Sequence, residues 1–119
     1  MNRPTDIPDG AIVDDEDIWN QVLRPASQAG RPGLFLDRDG TVIEEAHFLS
    51  DPDGVRLIPG AAHLIGKANR HGIPVIVVTN QSGVGRGYYG WTEFAAVQAR
   101  MLSDLAAHDA EIDAVYACP

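Results

Sequence analysis

Apolar residues recur with two different periods along this chain, and the switches between them set out its elements. Leu34-Phe35-Leu36 runs into Asp37 and predicts a buried strand over 33–37. Pro74-Val75-Ile76-Val77-Val78 is nearly all β-branched and apolar on both faces, the pattern of a strand covered on both sides in a parallel sheet. A third strand is expected over 112–118, where Ala114-Val115-Tyr116-Ala117-Cys118 is again extended in character. Between these runs the period lengthens. Ala61, Leu64, Ile65 and Ala68 recur at three- and four-residue steps, predicting a helix opened by Pro59-Gly60 and closed by Gly72 as a C′ glycine. Phe94, Val97, Met101, Leu102 and Leu105 predict a second helix, with Thr92 as its N-cap and Glu93 in its first turn. Phe94 and Met101 read as core packing. The order strand, helix, strand, helix, strand is a right-handed βαβαβ unit of the α/β class with a parallel sheet.

Residues 1–32 read differently. They hold four of the prolines and the acidic run Asp14-Asp15-Glu16-Asp17, and they predict a polar, flexible leader with no catalytic role. Within it, 18–23 is expected to form a short helix ending before Pro25, with the acidic run as its solvated start. The domain proper is expected over 33–119. Its segment 44–58 is polar, with a turn at Asp51-Pro52-Asp53-Gly54.

Composition narrows the function classes. Seventeen Asp and Glu against nine Lys and Arg give a formal charge of -8 and exclude nucleic acid or an anionic membrane surface as partner. A small phosphate substrate is not excluded, because it responds to local fields. Cys118 is the single cysteine, so no disulfide forms within the chain and a reducing, cytoplasmic setting is expected. No apolar stretch is long enough to span a bilayer, and the first residues lack the pattern of a signal peptide.

The candidate chemistry lies where strands end, since open α/β sheets bind ligands outside the carboxyl ends of their strands. Asp37 and Asp39 stand two apart at the end of the first strand, so extended geometry points both to one side. Two convergent carboxylates repel and call for a cation, and carboxylate oxygens suit a hard ion such as Mg²⁺. An aspartate can also act as a phosphoryl nucleophile. Thr79-Asn80-Gln81-Ser82 follows the second strand with groups able to donate to phosphate oxygens, and the glycines of 83–87 let backbone N–H groups and Arg86 approach an anion. A nucleoside triphosphatase is rejected because the lysine of a phosphate-binding loop is absent. His63, His71 and His108 have no metal-ligand spacing, whereas His47 lies in the loop after the aspartate pair and is placed to reach a substrate.

With these residues in view, the chain resembles the haloacid dehalogenase (HAD) superfamily over 33–119. Leu36-Asp37-Arg38-Asp39-Gly40-Thr41 is similar to its first motif and Val78-Thr79-Asn80-Gln81-Ser82-Gly83 to its second. The Arg86-Gly87 and Tyr116-Ala117-Cys118-Pro119 segments resemble a subgroup that dephosphorylates heptose bisphosphate, with histidinol-phosphate phosphatases as near relatives. The resemblance implies a three-layer, Rossmann-like core of which the N-terminal βαβαβ part is present. It implies hydrolysis of a sugar-phosphate or small-alcohol phosphate monoester. Asp37 would be the nucleophile, Asp39 the general acid and base, and Thr79 a donor to the phosphoryl group. Mg²⁺ would be held by Asp37 and Asp39. Arg38, Glu45, His47, Phe48, Asn80, Gln81, Ser82 and Arg86 would meet the substrate. Ile43 stands where the family often has asparagine.

The family's later lysine and acidic motifs have no counterpart in these 119 residues. Cys118 would be the single ligand left of a zinc loop, too few for a four-coordinate site. A phosphate dianion meets each nearby carboxylate at a cost of roughly 4 kcal/mol at about 4 Å and an effective dielectric near 20. Three readings follow: a phosphatase, an inactive fragment that only binds ligand or partner, or a phosphatase completed by a separate C-terminal chain. In the family, further strands flank the Asp37 strand. Without them Phe35 is expected on an open apolar edge, inviting self-association.

Overall fold

The computed structural model describes residues 7, 8, 10–25, 30 and 32–119. Nine elements run in the order β1 (Ala11–Val13), β2 (Trp19–Val22), β3 (Leu34–Leu36), a 3₁₀ turn (Pro52–Gly54), α1 (Ala61–Arg70), β4 (Val75–Asn80), α2 (Ser82–Gly85), α3 (Trp91–Ala106) and β5 (Ala114–Cys118). One five-stranded sheet has the order β1-β2-β5-β4-β3. β3, β4 and β5 are parallel, as the βαβαβ pattern predicts, and β2 and β1 extend the sheet antiparallel beyond β5. No helix among the described residues is long and apolar enough to cross a membrane.

The N-terminal hairpin is the main departure from expectation. Residues 19–22 form a strand, where a helix over 18–23 was expected, and the acidic run closes a hairpin turn instead of opening a helix. Asp14 makes that turn by accepting from the backbone N–H of Glu16 at 2.9 Å and of Ile18 at 3.0 Å. The physical reason is a concealed period of two. Trp19 and Gln21 are buried, while Asn20 and Val22 face the other way. Gln21 is polar, and its Oε1 accepts from Gln98 Nε2 on α3 at 2.7 Å, deep in the structure. Trp19, wholly buried, packs against Trp91 and Phe94. Residues 11–13 and 19–22 of the expected leader are thus built into the sheet. The rest of the expected leader, residues 1–6, 9, 26–29 and 31, lies outside the described residues.

The helices otherwise follow the pattern. α1 starts after Gly60 and ends into Gly72, whose φ of 68° is the left-handed conformation a C′ glycine supplies. α3 begins two residues earlier than Thr92 predicts: Gly90 is the N-cap and Trp91 the first helical residue. Trp91 is pulled into the helix by burial beside Trp19 and Phe94.

Right-handed crossovers from β3 through α1 to β4, and from β4 through α3 to β5, step the same way across the sheet and place both helices on one face. That face carries Trp19, Val75, Val77, Thr79, Val115 and Ala117, all buried. The register puts Ile12, Val22, Phe35 and Val78 on the opposite face, and each is about half exposed or more, Phe35 reaching 67%. β4 reads as a strand covered on both sides, but among the described residues only one side is covered. Phe35 lies on the edge strand, as expected from the sequence.

Candidate active site

The loop after β3 is folded around one carbonyl. The backbone oxygen of Arg38 accepts from Val42 N at 2.9 Å, Ile43 N at 3.1 Å and Thr41 N at 3.3 Å. Gly40 closes this turn at φ 84°, a conformation costly for any residue with a Cβ. Val42 and Ile43 are fully buried beneath it, so Ile43, at the position where the family often has asparagine, serves the core.

Asp37 emerges exposed at the tip of β3, its Oδ1 accepting from the Arg38 N–H at 2.8 Å. Asp39 is held from several sides. Arg38 donates to it through Nε at 3.2 Å and a terminal nitrogen at 3.0 Å, a two-pronged ion pair. Gln81 Nε2 donates to Asp39 Oδ2 at 2.9 Å and Thr79 Oγ1 lies 3.5 Å from the same oxygen. Gln81 also donates to Thr79 Oγ1 at 2.8 Å and accepts from the Tyr89 hydroxyl at 2.6 Å. The partners of the Asp39 side chain, Arg38, Gln81 and Thr79, are all donors. Burial raises the Tyr89 hydroxyl above its usual range, Arg38 opposes that shift and Asp39 adds to it.

Arg38 was expected to meet substrate. Its side chain is only 1% exposed, its guanidinium lies 5.4 Å from the centre of the Phe94 ring, and one terminal nitrogen has no hydrogen-bond partner. Burying a guanidinium is tolerable here because Asp39 and an aromatic face both compensate it.

These groups floor a cleft of about 230 Å³. Of the residues expected at the site, Arg38, Asp39, Glu45, His47, Phe48, Asn80, Gln81 and Ser82 line it. Phe48 is held at φ 50° with His47 and Tyr88 stacked edge-on against its ring. Asp37 stands beside the cleft, and Thr79 is buried behind Asp39. Arg86 caps α2, exposed and outside the cleft lining. Cys118 is exposed at the end of β5 with its thiol free. Among the described residues no group of three or more His, Cys, Asp or Glu side chains is arranged to hold a metal. The donors that remain, the Asp37 carboxylate and the Asp39 backbone carbonyl, are hard oxygens of the kind that share Mg²⁺ with water and phosphate. Tyr89 was missed by sequence reasoning. Its one signal was a pair of tyrosines ending a glycine-rich loop, eight residues after Gln81.

No protein-family model matches the chain. A curated D-glycero-beta-D-manno-heptose-1,7-bisphosphate 7-phosphatase from Mesorhizobium japonicum is 52% identical over 87 residues, 73% of this chain and 40% of that protein. A crystal structure from Mesorhizobium loti, described as a HAD-like phosphatase, superposes with a TM-score of 0.82 at 45% identity, covering 85% of this chain and 49% of the other. The D,D-heptose 1,7-bisphosphate phosphatase of B. bronchiseptica, solved with magnesium and phosphate, gives a TM-score of 0.70 at 30% identity over 75% of this chain and 50% of the other. The chain thus spans about half the length of the proteins it matches. In sequence and in fold, the chain is similar to HAD-like phosphatases over about half of their length.

Proposed function

We propose that the chain forms the nucleophile-bearing part of a phosphoric monoester hydrolase for a phosphorylated sugar of the heptose 1,7-bisphosphate type. The observation that carries this reading is the convergence of the Asp37–Asp39 loop and the Thr79–Ser82 turn on one cleft, with Asp39 bonded across it to Gln81. An oxygen of the exposed Asp37 carboxylate would attack phosphorus as the bond from phosphorus to the sugar oxygen breaks. Asp39 would give that oxygen a proton. Water would then attack phosphorus with its proton passing to Asp39, which frees inorganic phosphate and restores Asp37. Asn80 and Ser82 line the cleft where phosphate oxygens would sit, and Glu45, His47 and Phe48 form the wall that would meet the sugar. Arg86, just outside, would act through its long-range field. Mg²⁺ held by Asp37 and the Asp39 carbonyl would neutralise charge on the transferring group. A cytoplasmic setting fits the single free cysteine.

The family's lysine and later acidic motif correspond to none of these residues, and a further polypeptide segment would supply them in turnover. The test is phosphate release from heptose 1,7-bisphosphate and, in parallel, histidinol phosphate, with Mg²⁺. The chain is assayed alone and mixed with the part of the Mesorhizobium japonicum relative that it does not match. Release from the heptose substrate in the mixture, abolished by Asp37→Asn, supports the reading. Release from histidinol phosphate alone reassigns the substrate, and no release from either with Mg²⁺ overturns it.

A further inference from the structure

The Gln81 amide is polar at both ends and buried at both. Gln81 is 4% exposed, Thr79 3% and Tyr89 9%. Its two N–H bonds have two acceptors, Asp39 Oδ2 and Thr79 Oγ1, and its oxygen has one donor, the Tyr89 hydroxyl. Turned end for end, the amide would set its oxygen against the Asp39 carboxylate. The observed orientation therefore depends on a carboxylate at one end and a hydroxyl proton at the other. We propose that Tyr89 is a positioning residue for Asp39, acting through Gln81, a role that rests on the phosphatase reading above.

The placement of Tyr89 is itself enforced. A Cβ at Gly83 would overlap the Tyr89 ring and crowd Phe48, so the glycine at the second position of α2 makes the seat for the tyrosine. Arg38 reaches Asp39 without help from Gln81, through its own two donors. Loss of the Tyr89 hydroxyl would therefore leave the ion pair standing. The buried Gln81 oxygen would lose its donor, and the amide would swing to find another and withdraw its N–H from Asp39 Oδ2. A tyrosine retained only for packing would do none of this.

Two measurements separate these cases, and the first needs no turnover. In ¹⁵N-labelled full chain, the side-chain NH₂ of Gln81 should exchange slowly with solvent, and Tyr89→Phe should speed that exchange at least about tenfold, the factor for losing one net hydrogen bond. Tyr116→Phe, on the other face of the sheet, should leave it unchanged. Exchange within about twofold of wild type in Tyr89→Phe would overturn the proposal. In the complemented phosphatase assay, Tyr89→Phe should lower kcat about tenfold with KM held, and Gln81→Met should match it. The double variant should be no worse than either single one, since both break one chain of bonds. Additive losses, or a change in KM alone, would also overturn it. Should Tyr89→Phe fail to fold, Gly83→Ala, which displaces the Tyr89 ring, carries the exchange comparison and Gln81→Met the kinetic one. A wild type with no turnover counts against the phosphatase reading, while the exchange measurement still decides the role of Tyr89.

Discussion

Replacing Trp19 by alanine tests whether the N-terminal hairpin is part of the fold or a dispensable extension. Trp19 is wholly buried, with ring centroids 4.9 Å from Phe94 and 5.7 Å from Trp91. Truncating a buried tryptophan costs about 3–5 kcal/mol. One feature pulls the value down: the indole N–H of Trp19 is buried with no acceptor, so its removal relieves a desolvation cost of about 1–3 kcal/mol. The expected loss is then near the low end, about 3 kcal/mol, a large share of the roughly 5–15 kcal/mol that holds a small domain together. Urea unfolding followed by far-ultraviolet circular dichroism reads this directly. With a urea slope of about 1–3 kcal/mol per molar, the midpoint should fall by about 1–3 M. Ile12→Ala, on the uncovered face of the same hairpin, should move it far less. A Trp19→Ala midpoint within about 0.3 M of wild type would refute the assignment of the hairpin to the core.

Three further outcomes follow from the site and the sheet. Asp39→Ala strands the buried Arg38 guanidinium and should cost about 3–5 kcal/mol. Arg38→Met should cost less, because Asp39 is 23% exposed and keeps its bond from Gln81; thermal melts giving the reverse order would contradict the charge argument. At high pH, the unfolded chain releases its Tyr89 proton near pH 10 while the folded chain, with the hydroxyl raised by burial, still holds it. The contribution is intact below pH 10 and is lost as pH rises through the folded value, with a slope of at most about 1.4 kcal/mol per pH unit. Tyr89→Phe should remove that slope from urea midpoints taken above pH 10, and an identical slope in the variant would count against it. On the uncovered face, Phe35→Lys with Val78→Lys should reduce self-association in sedimentation velocity and weaken binding of an apolar dye; unchanged profiles would show that this face is inert.

The sequence by itself determined the elements whose apolar period is unbroken and the chemistry attached to their ends. β3, β4 and β5, the α1 boundaries at Gly60 and Gly72, and the Asp37–Asp39 and Thr79–Ser82 segments could all be read from local pattern. The reason is that backbone sterics and one-sided burial act over a few residues. What it could not reveal were partnerships across the fold. The Gln21–Gln98 pair joins positions 77 apart, and with that pairing hidden the strand 19–22 imitated a helix. Tyr89 went unread because its contact with Gln81 depends on the amide being turned toward it and on Gly83 leaving room. Nor could the packing of Arg38 against Phe94 and its pairing with Asp39 be read from the sequence. Only tertiary structure decides which polar groups are removed from water together. A buried donor must find its acceptor wherever the chain brings one, and sequence distance carries no record of that.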